Sequence, residues 1–154
     1  MKVEILTQKG HKFLWIEDYL WMWDIPIEQK IQKRIADQSY GDVLVAGYGL
    51  GIVQSYLQNN PNVTSITTIE LYKEVIQANK NLYGKIYGKF VIGDFYAVPL
   101  DLEFDCIVGD LWQDIIPEQL ENYKRFKNKA EQILKPNGKI LAWGKDYFEY
   151  LLNK

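Results

Sequence analysis

Sulfur chemistry and imidazole chemistry are almost absent from this chain. It has one cysteine, Cys106, and one histidine, His11. An intrachain disulfide is therefore impossible, which suits a reducing, cytoplasmic setting. No metal site is expected, and His11, between two apolar stretches at Gln8-Lys9-Gly10-His11, reads as an exposed turn residue. Excess positive charge is also missing: 18 Lys and Arg stand against 20 Asp and Glu, a formal net charge of -2 with a pI near 5.5. No basic field marks a nucleic-acid partner, and the run Lys124, Arg125, Lys127, Lys129 reads as the solvated face of a helix. No apolar run is long enough to cross a bilayer, and no signal-like N-terminus is expected. Repeats, linkers and low-complexity segments are missing too. What abounds is aromatic, with 5 Trp, 11 Tyr and 6 Phe in 154 residues. That length suits one domain, 1–154, with a single core.

The stretch Asp42-Val43-Leu44-Val45-Ala46-Gly47-Tyr48-Gly49-Leu50-Gly51 begins apolar and ends in glycines at alternate positions, followed by the helix-like Ile52 to Gln58. It reads as a buried parallel strand, a tight turn and a helix. Glycine lets backbone approach a ligand at a helix N-terminus, where a side chain would intrude. A dinucleotide fingerprint would place its third glycine at Ile52, but it falls at Gly51. No Lys-Ser or Lys-Thr follows, which excludes a phosphate-cradling Walker loop.

Further along, apolar and β-branched runs alternate with helical periodicity. Val3 to Leu6 and Lys12 to Ile16 predict a hairpin. Glu17-Asp18-Tyr19-Leu20-Trp21-Met22-Trp23-Asp24 mixes rings with carboxylates, either as an aromatic cover over the core or as a lid for a cationic group. Asp24 before Pro26, with Ile27, Ile31 and Ile35 every fourth residue, predicts a helix with an acidic N-cap. Val63 to Ile69 predicts a strand ending in Glu70, and Tyr72 to Leu82 a helix. Lys89 to Ile92 predicts a strand ending in Gly93-Asp94-Phe95, and Phe104 to Asp110 another, followed by Leu111-Trp112-Gln113-Asp114. A helix opens at Pro117, a fifth strand spans Ile140 to Trp143, and Asp146 to Leu152 forms a last helix. This alternation predicts a doubly wound parallel α/β sheet, in which ligands bind at the strands' carboxyl ends. Glu70 and Asp94 both stand at such ends, where either could also cap the turn that follows it.

The glycine turn, Glu70, Gly93-Asp94 and the Leu134-Lys135-Pro136-Asn137-Gly138 turn fall in an order that resembles the class I S-adenosylmethionine (SAM)-dependent methyltransferases, over roughly 42–143. The resemblance implies a Rossmann-like methyltransferase fold with a five-stranded parallel core. An N-terminal hairpin and aromatic-acidic segment (1–24) precede it, and the usual C-terminal antiparallel strand pair is missing. It also implies SAM as donor, with Gly47, Tyr48, Gly49 and Gly51 lining its amino-acid part. Glu70 would hold the ribose, Asp94 the adenine amino group, and Phe95 would lie beside the ring. With its fifth strand at an edge, the sheet would need cover from the hairpin, the last helix or a second subunit, the last of which would make a homo-oligomer.

Two branches of that superfamily share features with this chain. Val45 and the run Ile69-Glu70-Leu71-Tyr72-Lys73-Glu74-Val75-Ile76 are similar to spermidine synthases. That branch implies aminopropyl transfer from decarboxylated SAM, although Leu50 stands where an acid is usual and Asp110 and Asp114 are one residue further apart than usual. Trp23-Asp24-Ile25-Pro26 and Asp110 resemble the substrate acids of guanidinoacetate methyltransferase, with Asp24 in place of Glu. The leading expectation is methyl transfer from SAM to a nitrogen of a small amine or guanidinium substrate. Asp110 and Asp24 would be catalytic, and Asp110, Asp114, Trp112 and Glu17 would contact the acceptor. The alternatives are aminopropyl transfer and a non-catalytic SAM-binding or interaction module.

Overall fold

The computed structural model describes residues 1–154 and contains two sheets. Strands β1 (Val3–Gln8), β2 (His11–Ile16) and β3 (Tyr19–Trp23) form an antiparallel sheet in the order β1-β2-β3. Lys9 and Gly10 join the first two at φ 52° and 80°, the left-handed pair that a two-residue hairpin turn requires. The sequence anticipates this hairpin but not its third strand. In Tyr19 to Trp23 neighbouring rings hide the alternation of a strand.

Five parallel strands make the second sheet, in the order β6-β5-β4-β7-β8. They are β4 (Gly41–Ala46), β5 (Val63–Glu70), β6 (Lys89–Ile92), β7 (Phe104–Gly109) and β8 (Leu134–Ala142). Helices α1 (Pro26–Asp37), α2 (Ile52–Gln58), α3 (Lys73–Tyr83), α4 (Leu120–Gln132) and α5 (Lys145–Leu152) cover its faces. The turn expected at Leu134 to Gly138 is instead a bulge within β8: Phe104 faces Leu134, whereas Cys106 already faces Lys139. Strand alternation sends Val43 and Val45 to the side of Ile35, Val53 and Leu57, and sends Leu44 and Ala46 to the side of Phe126, Ala130 and Phe148. Both faces are buried, so β4 reads as a continuous apolar run.

Helix α1 differs from its periodic reading. Ile27 is 60% exposed, while Glu28 and Gln32 are buried together with Ile35 and Ala36. Asp24 does not cap this helix. Ile25 holds the N-cap position without a side-chain hydrogen bond, and the Asp24 carboxylate accepts the Lys12 N–H at 2.6 Å and faces His11 Nδ1 at 3.6 Å. The lysine-rich face of α4 is likewise not all solvated. Lys124 and Lys127 pair with Glu121 and Glu149, but Lys129 is buried and donates to the Val98 carbonyl.

The chain runs outward from β4 through β5 to β6, then returns to β7 beside β4. That reversal opens a crevice above the carboxyl ends of β4 and β7, where open α/β sheets bind ligands. The N-terminal sheet, one of the three covers open to the β8 edge, lies elsewhere. It packs on α3 and, through Leu14, on Leu50 and Ile52, forming a roof over the crevice.

Candidate active site

Two cavities lie under that roof. The first, about 290 Å³, runs from the glycine turn past Glu70 and Leu71 to Asp94, Phe95 and Tyr96. The second, about 350 Å³, is walled by Leu20, Trp23, Trp112 and Trp143, with Glu28, Asp110 and Asp114 as its acids. Trp21 and Asp110 line both.

Backbone geometry shapes the inner end of the first cavity. Gly47 and Gly49 have φ of 96° and 57°, and a Cβ would lie 2.9 Å from the Asp110 carbonyl at Gly47 and 2.6 Å from Met22 Sδ at Gly49. Both positions thus need glycine for conformation, and Gly47, facing backbone, needs it for space as well. Most of the turn's amides are engaged within the protein. The N–H of Gly47 donates to the Ile69 carbonyl at 2.9 Å, that of Gly51 to the Tyr48 carbonyl at 2.8 Å, and that of Leu50 to Met22 Sδ at 3.4 Å.

Glu70, at the end of β5, locks the turn to the neighbouring strand. Its Oε1 accepts the Tyr48 N–H at 2.9 Å and its Oε2 the Tyr72 N–H at 3.0 Å. Burial pushes its carboxyl above the usual range, and the surrounding amides counter this in part. The amides of Gly49 and Leu71 also face this carboxylate, and with them it lines the cavity. Asp94 caps the short turn after β6, accepting the Tyr96 N–H at 2.9 Å, and also lines the cavity. Leu71, 55% exposed beside buried Phe95, gives this end a bare apolar wall suited to a flat ring. Arg125, with its guanidinium 3.7 Å from the centre of the Tyr96 ring, bounds the outer side.

Asp110, just beyond β7, is strongly altered by its setting. Its carboxyl is pushed up to about 7 by burial first and then by the nearby charge of Glu28, with Glu70 adding and the Gln32 amide opposing. Gln32 Nε2 bridges the two acids, reaching Glu28 Oε1 at 2.9 Å and Asp110 Oδ2 at 3.4 Å. Glu28 is 7% exposed and raised by burial. No Lys, Arg or His lines this second cavity, so its carboxylates lack a protein cation. Glu28 and Gln32 escaped the sequence reading because the isoleucine stripe drew attention to another face. Their i, i+4 spacing beside that stripe was the available signal.

Several expected site residues lie elsewhere. Asp24 lines neither cavity, being used by the Lys12 amide. Glu17 is exposed at the β2–β3 turn, where it accepts the Lys2 N–H at 3.0 Å. The Tyr48 ring is buried against Val75 and Ile76, its hydroxyl accepting the Tyr87 N–H at 3.2 Å, because the turn directs it under α3. Gly51 sits behind the turn as the N-cap of α2, against the Tyr48 ring. Trp112 is 3% exposed and wedged among Tyr123, Phe126 and Phe148, with Nε1 donating to the Trp143 carbonyl at 2.9 Å, and lines the second cavity from below.

Comparison with known proteins bears on this arrangement. Residues 44–142 match the family profile described as a methyltransferase domain. The chain belongs to this methyltransferase domain family. Similar solved structures include an S-adenosylmethionine-dependent methyltransferase from Clostridium acetobutylicum ATCC 824, at 16% identity and TM-score 0.55 over 77% of this chain and 50% of that one. TrmN from Thermus thermophilus is similar at 19% identity and TM-score 0.57, over 81% and 40% of the two chains. The glycopeptide N-methyltransferase MtfA, complexed with SAM, is similar at 22% and 0.54, over 75% and 52%. This methyltransferase domain thus spans about half the length of those structures, and at such identities the likeness is one of fold. None of the three is an aminopropyltransferase, and that alternative draws no support from them. No curated protein matches the sequence.

Proposed function

We propose that this methyltransferase domain holds SAM in the first cavity and directs its methyl group to a nitrogen of a small amine or guanidinium compound in the second. The observation that carries the reading is the shared wall: the two cavities meet only at Trp21 and Asp110. Glu70 lines the cavity where a ribose hydroxyl could share its carboxylate, Asp94 can accept from an adenine amino group, and Leu71 and Phe95 offer the ring an apolar bed. Gly47 and Gly49 leave room for the amino-acid part. Bound there, the sulfonium supplies an already activated methyl group, so alignment and exclusion of water are what the protein must add.

The second cavity favours a cation. Buried carboxylates without a counter-charge are costly, and an ammonium or guanidinium beside Glu28 and Asp110, with exposed Asp114 at the rim, relieves that cost. Trp23 and Trp143 add ring surface that attracts positive charge. A nitrogen must be unprotonated to attack, and Asp110, titrating near neutrality at the junction, orients the acceptor and receives its proton.

The test combines calorimetry with S-adenosylhomocysteine and a mass-spectrometric screen of small amines and guanidinium compounds. Wild type should bind the nucleoside and methylate at least one compound, while Asp110→Asn should bind it equally and give no product. Undiminished turnover in Asp110→Asn refutes the assignment. Binding without any product favours a non-catalytic module, and preference for the decarboxylated donor would return the aminopropyl alternative.

A further inference from the structure

Two buried amides grip the glycine turn from behind. Gln54 on α2 and Asn79 on α3 are both 0% exposed. Gln54 Nε2 donates to the Gly47 carbonyl at 3.2 Å and to Thr68 Oγ1 at 3.1 Å. Asn79 Nδ2 donates to the Gly49 carbonyl at 2.8 Å and to the Val75 carbonyl at 2.9 Å. Both acceptors of Asn79 Nδ2 are carbonyls, so that amide has one sensible orientation.

Each amide satisfies the acceptors it reaches but leaves its own oxygen unpaired: Gln54 Oε1 and Asn79 Oδ1 are buried with no donor. Their grip falls on Gly47 and Gly49, the two glycines of the turn that line the first cavity. We infer that Gln54 and Asn79 are positioning residues for the donor, drawing the Gly47 and Gly49 carbonyl oxygens into the core and away from a ligand carboxylate. The inference rests on the reading of the first cavity as a SAM site. It concerns only the amino-acid end of the ligand, because Glu70, Leu71 and Asp94 hold the nucleoside end.

The experiment measures S-adenosylhomocysteine and adenosine binding by calorimetry for wild type, Gln54→Met and Asn79→Leu, with thermal melts of each. Asn79→Ser, a smaller change, serves if Asn79→Leu does not fold. Each folded variant should bind S-adenosylhomocysteine about tenfold more weakly, with adenosine affinity unchanged. A merely structural role would weaken both ligands together or neither, and either result overturns the inference. Wild type that binds neither ligand overturns the SAM reading itself, and the inference with it.

Discussion

Replacing Asp110 by Asn should separate activity from stability in a pH-dependent way. In the folded chain this carboxyl keeps its proton until about 7, against an ordinary value of 3.8. Between those values the unfolded chain binds fewer protons than the folded one, so wild-type stability falls as pH rises and the penalty is complete above the folded value. At ~1.4 kcal/mol for each tenfold change in proton concentration, a fully enclosed group would forfeit roughly 4 kcal/mol. Asp110 keeps partial solvent contact, and halving for that leaves roughly 2 kcal/mol. An asparagine escapes this penalty while still able to accept from Gln32. For a domain of this size roughly 2 kcal/mol corresponds to about 4–8 °C. Melting scans of both proteins between about pH 4 and pH 8 should therefore show the variant gaining on wild type by that margin as pH rises. A gap that stays constant or narrows with pH refutes the burial and charge account of Asp110.

Glu28→Gln keeps the contact to Gln32 but removes one of the two inner charges. Initial rates should show KM for the cationic acceptor rising about tenfold with kcat much less changed, and an unchanged KM would detach Glu28 from the acceptor. Glu70→Ala leaves the Tyr48 and Tyr72 amides without their acceptor. At about 1–3 kcal/mol for each of these two amides, urea unfolding should show a loss of roughly 2–6 kcal/mol, together with failure to bind S-adenosylhomocysteine. Phe148 is fully buried between Trp112 and Tyr123. Phe148→Ala should cost about 3–5 kcal/mol in the same assay, and a loss under about 1 kcal/mol would show that α5 is not part of the core.

The parallel sheet was legible because its strands are short apolar runs closed by residues with conformational meaning: Gly47 after β4, Glu70 at the end of β5, Gly93-Asp94 after β6 and Asp110 after β7. Local chemistry dictates those positions, and spacing alone locates them. What stayed hidden depends on partners distant in sequence. Asp24 looks like a helix cap until the Lys12 amide comes across from a hairpin to claim it. Ile27 looks like core until α1 turns Glu28 and Gln32 inward, where Gln32 reaches Asp110 just beyond β7. Tyr48 sits among the glycines, yet its ring follows the turn beneath α3. Trp21 offered no sign that it bounds both cavities, because that role exists only once one sheet lies over the other.

The roof is fastened to the body by small clusters. Its fully buried contribution to the contact is Leu14 on Leu50 and Ile52, against the far larger clusters on both faces of the parallel sheet. Regions so thinly fastened open at lower free energy than the body they rest on, and whatever fills the space beneath holds them shut. Warming should accordingly silence the protein before it unfolds, with inactivation running ahead of the loss of helical signal and the lag shrinking when ligand is present.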